Sequence, residues 1–180
     1  MLLLNKYIIC INNKEKYMKF LSRLFRKNSI KEYNRKADDN YVEDVTNIVN
    51  NSGYSSVTNF LIYVELDNFR VNVFKGSKEN WVLEKSFLCT IGKVSTPTPK
   101  GTFKVGVKGL YFGENKGYKC WYYTSFKGNY LFHSIIYNLN GSIRDGRLGM
   151  ALSDGCIRLA KENAKWIWDN VVVNSTVIIK

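Results

Sequence analysis

From Asn59 onward, hydrophobic and polar positions alternate in short runs, and the period is that of strands. FLIYVEL (60–66) and FRVNVFK (69–75) are rich in β-branched and aromatic residues and are separated by Asp67-Asn68, which predicts a hairpin. After the turn GSKEN, WVLEKSFLCTI (81–91) reads as a third strand. KCWYYTSF (119–126) and NYLFHSIIY (129–137) flank Lys127-Gly128 and predict a second hairpin. One segment breaks the pattern. In KENAKWIWDNVV (161–172), Ala164, Ile167, Trp168 and Val171 recur at helical spacing, so an amphipathic helix packs on the sheet before TVIIK closes the chain as a last strand.

The first third has a different texture. MLLLNKYIICIN is apolar but short, and Asn5-Lys6 interrupts it. It has no basic lead and no small-residue cleavage site, so it makes a poor signal peptide and is too short to span a bilayer. MKFLSRLFRK (18–27) sets Phe20, Leu21, Leu24 and Phe25 beside Lys19, Arg23, Arg26 and Lys27. That is a basic amphipathic turn suited to an anionic membrane, or else a loosely ordered arm. Residues 28–58 are polar and Asn/Ser-rich, with a short helix expected near 41–50, and read as a linker. The expected organisation is therefore a basic arm and linker over 1–58 and a mainly β domain over 59–180.

Composition supports the strands. The 180 residues are 45% hydrophobic and 14% aromatic with only two prolines, which favours a sheet over a helical bundle. The net charge of +12 is spread along the chain. It suits an anionic cell-wall polymer or membrane surface as well as plain solvation. No clustered basic–aromatic motif, zinc spacing or Gly-rich phosphate loop points to nucleic acid. Four cysteines (Cys10, Cys89, Cys120, Cys156) form no C-x-x-C pair and the chain has a single histidine, so no metal site is expected.

Cys89 and Cys120 sit within apolar runs and read as small buried hydrophobes. Cys156 is staged differently: it follows Ser153-Asp154-Gly155 and precedes Ile157-Arg158. A reactive thiol needs a base, donors for an oxyanion and electropositive surroundings. His133, the one imidazole, lies 23 residues upstream on a strand whose alternation places Leu131, His133 and Ile135 on one face, and Phe132 and Ser134 on the other. On spacing alone, a hydrogen-bonded core histidine is the default reading. Gly155 permits a turn at which the N–H groups of Gly155 and Cys156 converge on an acyl oxygen. Arg158 supplies positive charge, and the Asp154 side chain is expected to point elsewhere.

HSIIYNLNGSIRDGRLGMALSDGCIRL resembles the signature of the L,D-transpeptidase (YkuD-like) catalytic domain. That signature is a His, a stretch with Leu-Gly, then [Ser/Thr]-His-Gly-Cys-[Ile/Val]-Arg. Leu148-Gly149 and Ser153, Gly155, Cys156, Ile157 and Arg158 match it. TPTPKGTF (96–103) is similar to the family's Pro-Gly turn, whether as a substrate wall or a plain connection. ENAKWIWDNV and STVIIK are similar to its later helix and closing strand. One position departs, because Asp154 stands where the family usually has His.

The resemblance covers about 59–180 and implies a β-sandwich of mixed sheets with one amphipathic helix after the cysteine. It implies Cys156 as nucleophile and His133 as general base and acid. Gly155, Ser134 and Asp154 would support the oxyanion and the site, and Arg158 and Ser153 would contact substrate, Arg158 either binding a donor carboxylate or ordering the loop. The implied reaction joins peptidoglycan stem tetrapeptides by 3–3 cross-links through a thioester, releasing D-Ala, without a cofactor. An L,D-carboxypeptidase using water, a different thiol amidase and a non-catalytic wall-binding module are the alternatives. The family implies an extracytoplasmic, cell-wall location.

Overall fold

The structure, a computed structural model, describes residues 38–180. The apolar start, the basic turn at 18–27 and Cys10 lie outside the described residues. Two compact units divide the chain, Met1–Val45 and Thr46–Lys180. Of the first, the described residues 38–45 are helical, and the same helix α1 continues over 46–51 of the second. The helix expected near 41–50 thus runs over 38–51. None of the described helices is long and apolar enough to cross a membrane.

The second unit starts at Thr46, ahead of the boundary expected at 59, because the intervening residues are bonded into the sheet. Asn50 treats Trp81 as a strand neighbour would. Its Oδ1 accepts from Trp81 N at 2.7 Å and its Nδ2 donates to Trp81 O at 3.0 Å. The indole Nε1 donates to Tyr54 O at 3.0 Å, so a large side chain only 1% exposed has its one polar atom satisfied. Ser56 and Thr58 tie in the other end: Ser56 Oγ accepts from Thr176 N, and Thr58 Oγ1 pairs with Ser175 Oγ at 2.7 Å.

Twelve strands follow: β1 Phe60–Glu65, β2 Arg70–Ser77, β3 Asn80–Gly92, β4 Gly101–Lys104, β5 Lys108–Phe112, β6 Tyr118–Lys127, β7 Tyr130–Ser134, β8 Ile136–Asn138, β9 Ile143–Asp145, β10 Ala151–Ser153, β11 Ile157–Leu159 and β12 Thr176–Ile179. Helix α2 spans Lys161–Asn170, directly after the Cys156 segment. The expected mainly β class with mixed pairing and a helix at this place is what the chain adopts. The spatial order is β4-β12-β1-β2-β3-β11-β7-β6-β8-β9, with β10 on β3 and β5 on β6. Pairs β1/β12, β11/β7 and β10/β3 are parallel and the rest antiparallel.

β3 joins the two halves. Its first part pairs with β2, whereas Cys89 and Thr90 pair with β11 and Ile91 and Gly92 meet β10. The core gathers Ile62, Val64, Val71, Val73, Phe132, Ile157, Leu159, Ala164, Ile167 and Val177, each at most 1% exposed. Burying side chains of this size stabilises by about 1.5–3 kcal/mol apiece before entropy is charged against it. The helix buries Ala164 and Ile167 on the face the spacing predicts, and Trp166 packs on Phe87 with ring centroids 6.0 Å apart. Lys108 of β5 anchors the C-terminal end of α2. Its Nζ donates to the carbonyls of Trp168 at 2.6 Å and Val171 at 2.5 Å, a cation set on the negative pole of the helix. Burial pushes that ammonium below its usual lysine value.

Candidate active site

The parallel β11/β7 pairing decides which side chains meet. Ile157 lies opposite Phe132, Arg158 opposite His133 and Leu159 opposite Ser134. Phe132 and Ile157 point into the core at 0% exposure, so the alternation of a strand turns His133 and Arg158 to the other face. Cys156, one residue before β11, falls on the same face as Arg158. It stands one strand across and two residues along from His133, about 8 Å between Cα atoms from strand spacings. Both side chains line a cavity of about 140 Å³, together with Phe112, Tyr118, Cys120, Ile136, Ser153, Asp154 and Arg158.

His133 is 4% exposed and its ring is fixed on two sides. Nδ1 lies 2.7 Å from the carbonyl oxygen of Ser134, and Phe112 meets the ring edge to face at 5.1 Å and 87°. A carbonyl only accepts, so Nδ1 carries the proton and Nε2 is the basic atom. Burial is the largest influence on the ring and holds its pKa down at about 4, with the Arg158 charge acting in the same direction and the Ser134 carbonyl opposing. At neutral pH the imidazole is neutral. Ser134 serves through its backbone; its hydroxyl accepts from Trp121 N at 2.8 Å and donates to Ile135 O at 2.6 Å, which locks β7 to β6.

The Cys156 thiol is half-buried and donates to Asn129 O at 3.5 Å. Burial raises its pKa above the ordinary thiol value, against a backbone hydrogen bond from Leu131 and the Arg158 charge, while Asp154 adds to the rise. The resting pair is thus neutral thiol and neutral imidazole. Cys89 and Cys120 are pushed up to about 12 by burial, as small core residues are.

The turn before Cys156 is held from within and from behind. Gly155 has φ +108°, and a Cβ there would lie 2.5 Å from Tyr130 Cε1, so only glycine fits. Ser153 is 1% exposed and spends its hydroxyl inside the turn, donating to Cys156 O and accepting from Gly155 N at 3.2 Å. Asp154 projects outward, 80% exposed, and pairs with Lys93 Nζ at 2.6 Å.

The TPTP segment forms the back of the turn, a role its sequence leaves open. Thr98, 3% exposed, accepts from Gly92 N and donates to Gly155 O, both at 2.9 Å. Thr96 Oγ1 reaches Ser153 O at 3.3 Å, and Lys93 N donates to the same carbonyl at 2.9 Å. Residues that the sequence does not single out, Thr98, Asp145 and Arg147, therefore belong to the site. Asp145 Oδ2 accepts from Arg158 Nη1 at 3.1 Å. Among the described residues, no group of three or more His, Cys, Asp or Glu is placed to hold a metal ion.

Known proteins resemble this chain in sequence and in fold. The family model of the L,D-transpeptidase catalytic domain matches residues 59–179. YciB of Bacillus subtilis (strain 168), provisionally named an L,D-transpeptidase, is 35% identical over 89 residues, 46% of this chain and 46% of that protein. A fused Zn-dependent amidase/peptidase/peptidoglycan-binding domain-containing protein from Clostridium acetobutylicum ATCC 824 superposes with a TM-score of 0.68 at 42% identity, over 79% of this chain and 61% of that one. An L,D-transpeptidase from Mycobacterium smegmatis shares the fold, with a TM-score of 0.53 at 22% identity over 68% and 58% of the two chains. The chain thus spans about half the length of the curated relative it matches.

Proposed function

Because this chain belongs to the L,D-transpeptidase catalytic-domain family, we propose that it cross-links peptidoglycan stem peptides by cysteine-dependent acyl transfer. The supporting observation is the β11/β7 register, which turns Cys156 and His133 to one face and into one cavity while Nδ1 is tied to Ser134 O. Both groups rest neutral, so Nε2 takes the thiol proton as sulfur attacks. This is general-base catalysis rather than a preformed ion pair.

In the first half-reaction, Sγ of Cys156 bonds to the carbonyl carbon of the third residue of a tetrapeptide donor. The C–N bond to D-Ala breaks, and the leaving amine takes the proton held on His133. In the second, the amine of another stem attacks the thioester carbonyl, the C–S bond breaks, and its lost proton returns through His133 to sulfur. The product is a 3–3 cross-link. Because Gly155 N–H already donates to Ser153 Oγ, the Cys156 N–H is the donor the turn offers to the oxyanion, a contribution of about 3–4 kcal/mol in comparable sites.

The test is intact mass after incubation with a carbapenem, whose strained amide acylates such a thiol. One adduct on the wild type, absent from Cys156→Ala, is expected. A folded wild type that takes no adduct would indicate a wall-binding module instead. Purified muropeptides then separate dimer formation from release of D-Ala into water.

A further inference from the structure

The face of the sheet opposite the cavity alternates rings and cations. Phe112, Cys120 and Ile136 line the cavity, so the pleat turns their neighbours Tyr111, Trp121 and Tyr137 to the other side. Tyr111 lies opposite Trp121 across β5 and β6, and Lys119 opposite Tyr137 across β6 and β8. The Lys119 ammonium sits between two rings, 4.6 Å from the centroid of Tyr111 and 5.6 Å from that of Trp121. Lys161, the first residue of α2, sits between the next two, 4.4 Å from Trp121 and 5.3 Å from Tyr137. One turn further along α2, Lys165 stands 5.6 Å from Tyr122.

Lysines on an open surface are mobile, and ordering them costs binding energy. Here the rings hold the ammoniums before any ligand arrives, and the one indole of Trp121 serves both Lys119 and Lys161. Their charge is available. Lys161 makes no ion pair among the described residues. Lys119 and Lys165 pair with Glu114 and Asp169, whose side chains are 52% and 38% exposed, and ion pairs so open to water are weak and exchange for another anion. The three cations succeed one another from β6 onto α2 rather than ringing a pocket, which fits a chain of spaced negative charges. Because the ammoniums lie on the ring faces, the surface offers charge and not the stacking platform that single-stranded nucleic acids use. Residues 59–180 carry 17 basic against nine acidic side chains, so the wider field draws the same kind of partner.

We propose that this face docks a phosphodiester-linked polymer of the cell wall, its phosphates meeting the ammoniums of Lys119, Lys161 and Lys165 while Trp121 positions the first two. The family is cell-wall associated, which makes a wall polymer rather than a lipid surface the phosphodiester at hand. The cavity opens on the other face, so docking leaves it free. The inference stands apart from acyl transfer, which the carbapenem adduct reads by itself.

The probe is purified insoluble bacterial wall, used intact and after hydrofluoric acid has stripped its phosphodiester polymer, with cosedimentation of the full chain as the readout. Binding to intact wall is expected to weaken with added salt and to drop on the order of tenfold on stripped wall. Lys161→Gln should weaken it roughly fivefold, the effect of one charge at about 4 Å in water. Lys75→Gln, the same loss of charge on β2, should change it less than about twofold. Trp121→Leu alters no charge and should weaken binding at least as much as Lys161→Gln, because both ammoniums lose their support. If Trp121→Leu fails to fold, the contrast between Lys161→Gln and Lys75→Gln keeps the test decisive. Equal binding to stripped wall, equal losses in the two lysine variants, or an unharmed Trp121→Leu overturns the docking face. Tighter binding to anionic phospholipid vesicles than to intact wall overturns the wall polymer in favour of a membrane. A carbapenem adduct on a wild type that ignores intact wall removes the docking face alone, and wall binding as expected without any adduct removes acyl transfer alone.

Discussion

The ring Nδ1 of His133 lies 2.7 Å from the carbonyl oxygen of Ser134, the next residue along the same strand. One backbone group thereby sets both the tautomer and the plane of the only imidazole in the chain. The ring is buried and neutral, with its pKa held down at about 4.

That value makes the reaction with a carbapenem nearly independent of pH over the range where proteins are usually studied. The basic form of His133 is half populated near pH 4 and predominates above about pH 5, and the Cys156 thiol is protonated at neutrality because burial raises its pKa. The acylation rate should be flat from about pH 5 to pH 8 and fall only as pH drops toward 4. His133→Gln should slow acylation by about 10²–10⁴-fold, the range of general-base catalysis. Stopped-flow mass spectrometry across pH checks both. A bell centred near neutrality would show a preformed ion pair instead.

Stability should carry the same signature. His133 has a folded pKa near 4 and an unfolded value near 6.5. Between these two the unfolded chain binds more protons, so stability is complete above pH 6.5 and declines as pH falls toward 4. Asp145, held at about 2, mainly by its hydrogen bond to Arg147, adds a second decline below its ordinary value of 3.8. Urea unfolding of wild type and His133→Gln at pH 7 and pH 5 should show a smaller loss in the variant. Equal losses would mean that the imidazole protonates freely in the folded state.

Gly155→Ala tests the turn. A methyl group there meets the Tyr130 ring and a backbone at φ +108°, which costs about 1–3 kcal/mol in strain alone. Circular dichroism should record a lower Tm, and acylation of Cys156 should fall further than stability does, because the displaced backbone carries the sulfur. An unchanged Tm would mean that the ring moves aside.

Asp154 occupies the position where the family pattern has His, and it adds to the raised pKa of the Cys156 thiol. Asp154→Asn should lower that pKa and speed iodoacetamide alkylation at pH 7.5. Stability should shift by no more than about 0.5 kcal/mol, because the lost ion pair to Lys93 is on the surface. Slower alkylation would contradict the assigned charge effect.

The long strands were legible because each carries several alternating or wholly apolar residues. β1, β2, β3, β6 and β12 lie where FLIYVEL, FRVNVFK, WVLEKSFLCTI, KCWYYTSF and TVIIK place them, whereas NYLFHSIIY breaks at Ile135 into β7 and β8. β9 to β11 are three residues each and have too few positions to show a period. Asp145 was invisible for that reason, since its strand IRD says nothing of a guanidinium at Arg158. The Asn50 bonds to Trp81 were hidden in a polar stretch that composition assigns to a linker. Thr98 left only an indirect clue, two flanking prolines that stiffen the loop in which its hydroxyl reaches both Gly92 and Gly155.

His133 lies on one parallel ladder and Cys156 immediately ahead of its partner strand, two positions from the Arg158–His133 rung, so their separation follows from main-chain pairing. None of the rim side chains supplies it. The Thr98 buttress behind Gly155 must stay, but the exposed hairpin tip at 139–142 can take other shapes without shifting the strands that carry ring and sulfur, which leaves that tip as the place to graft new acyl-donor preferences.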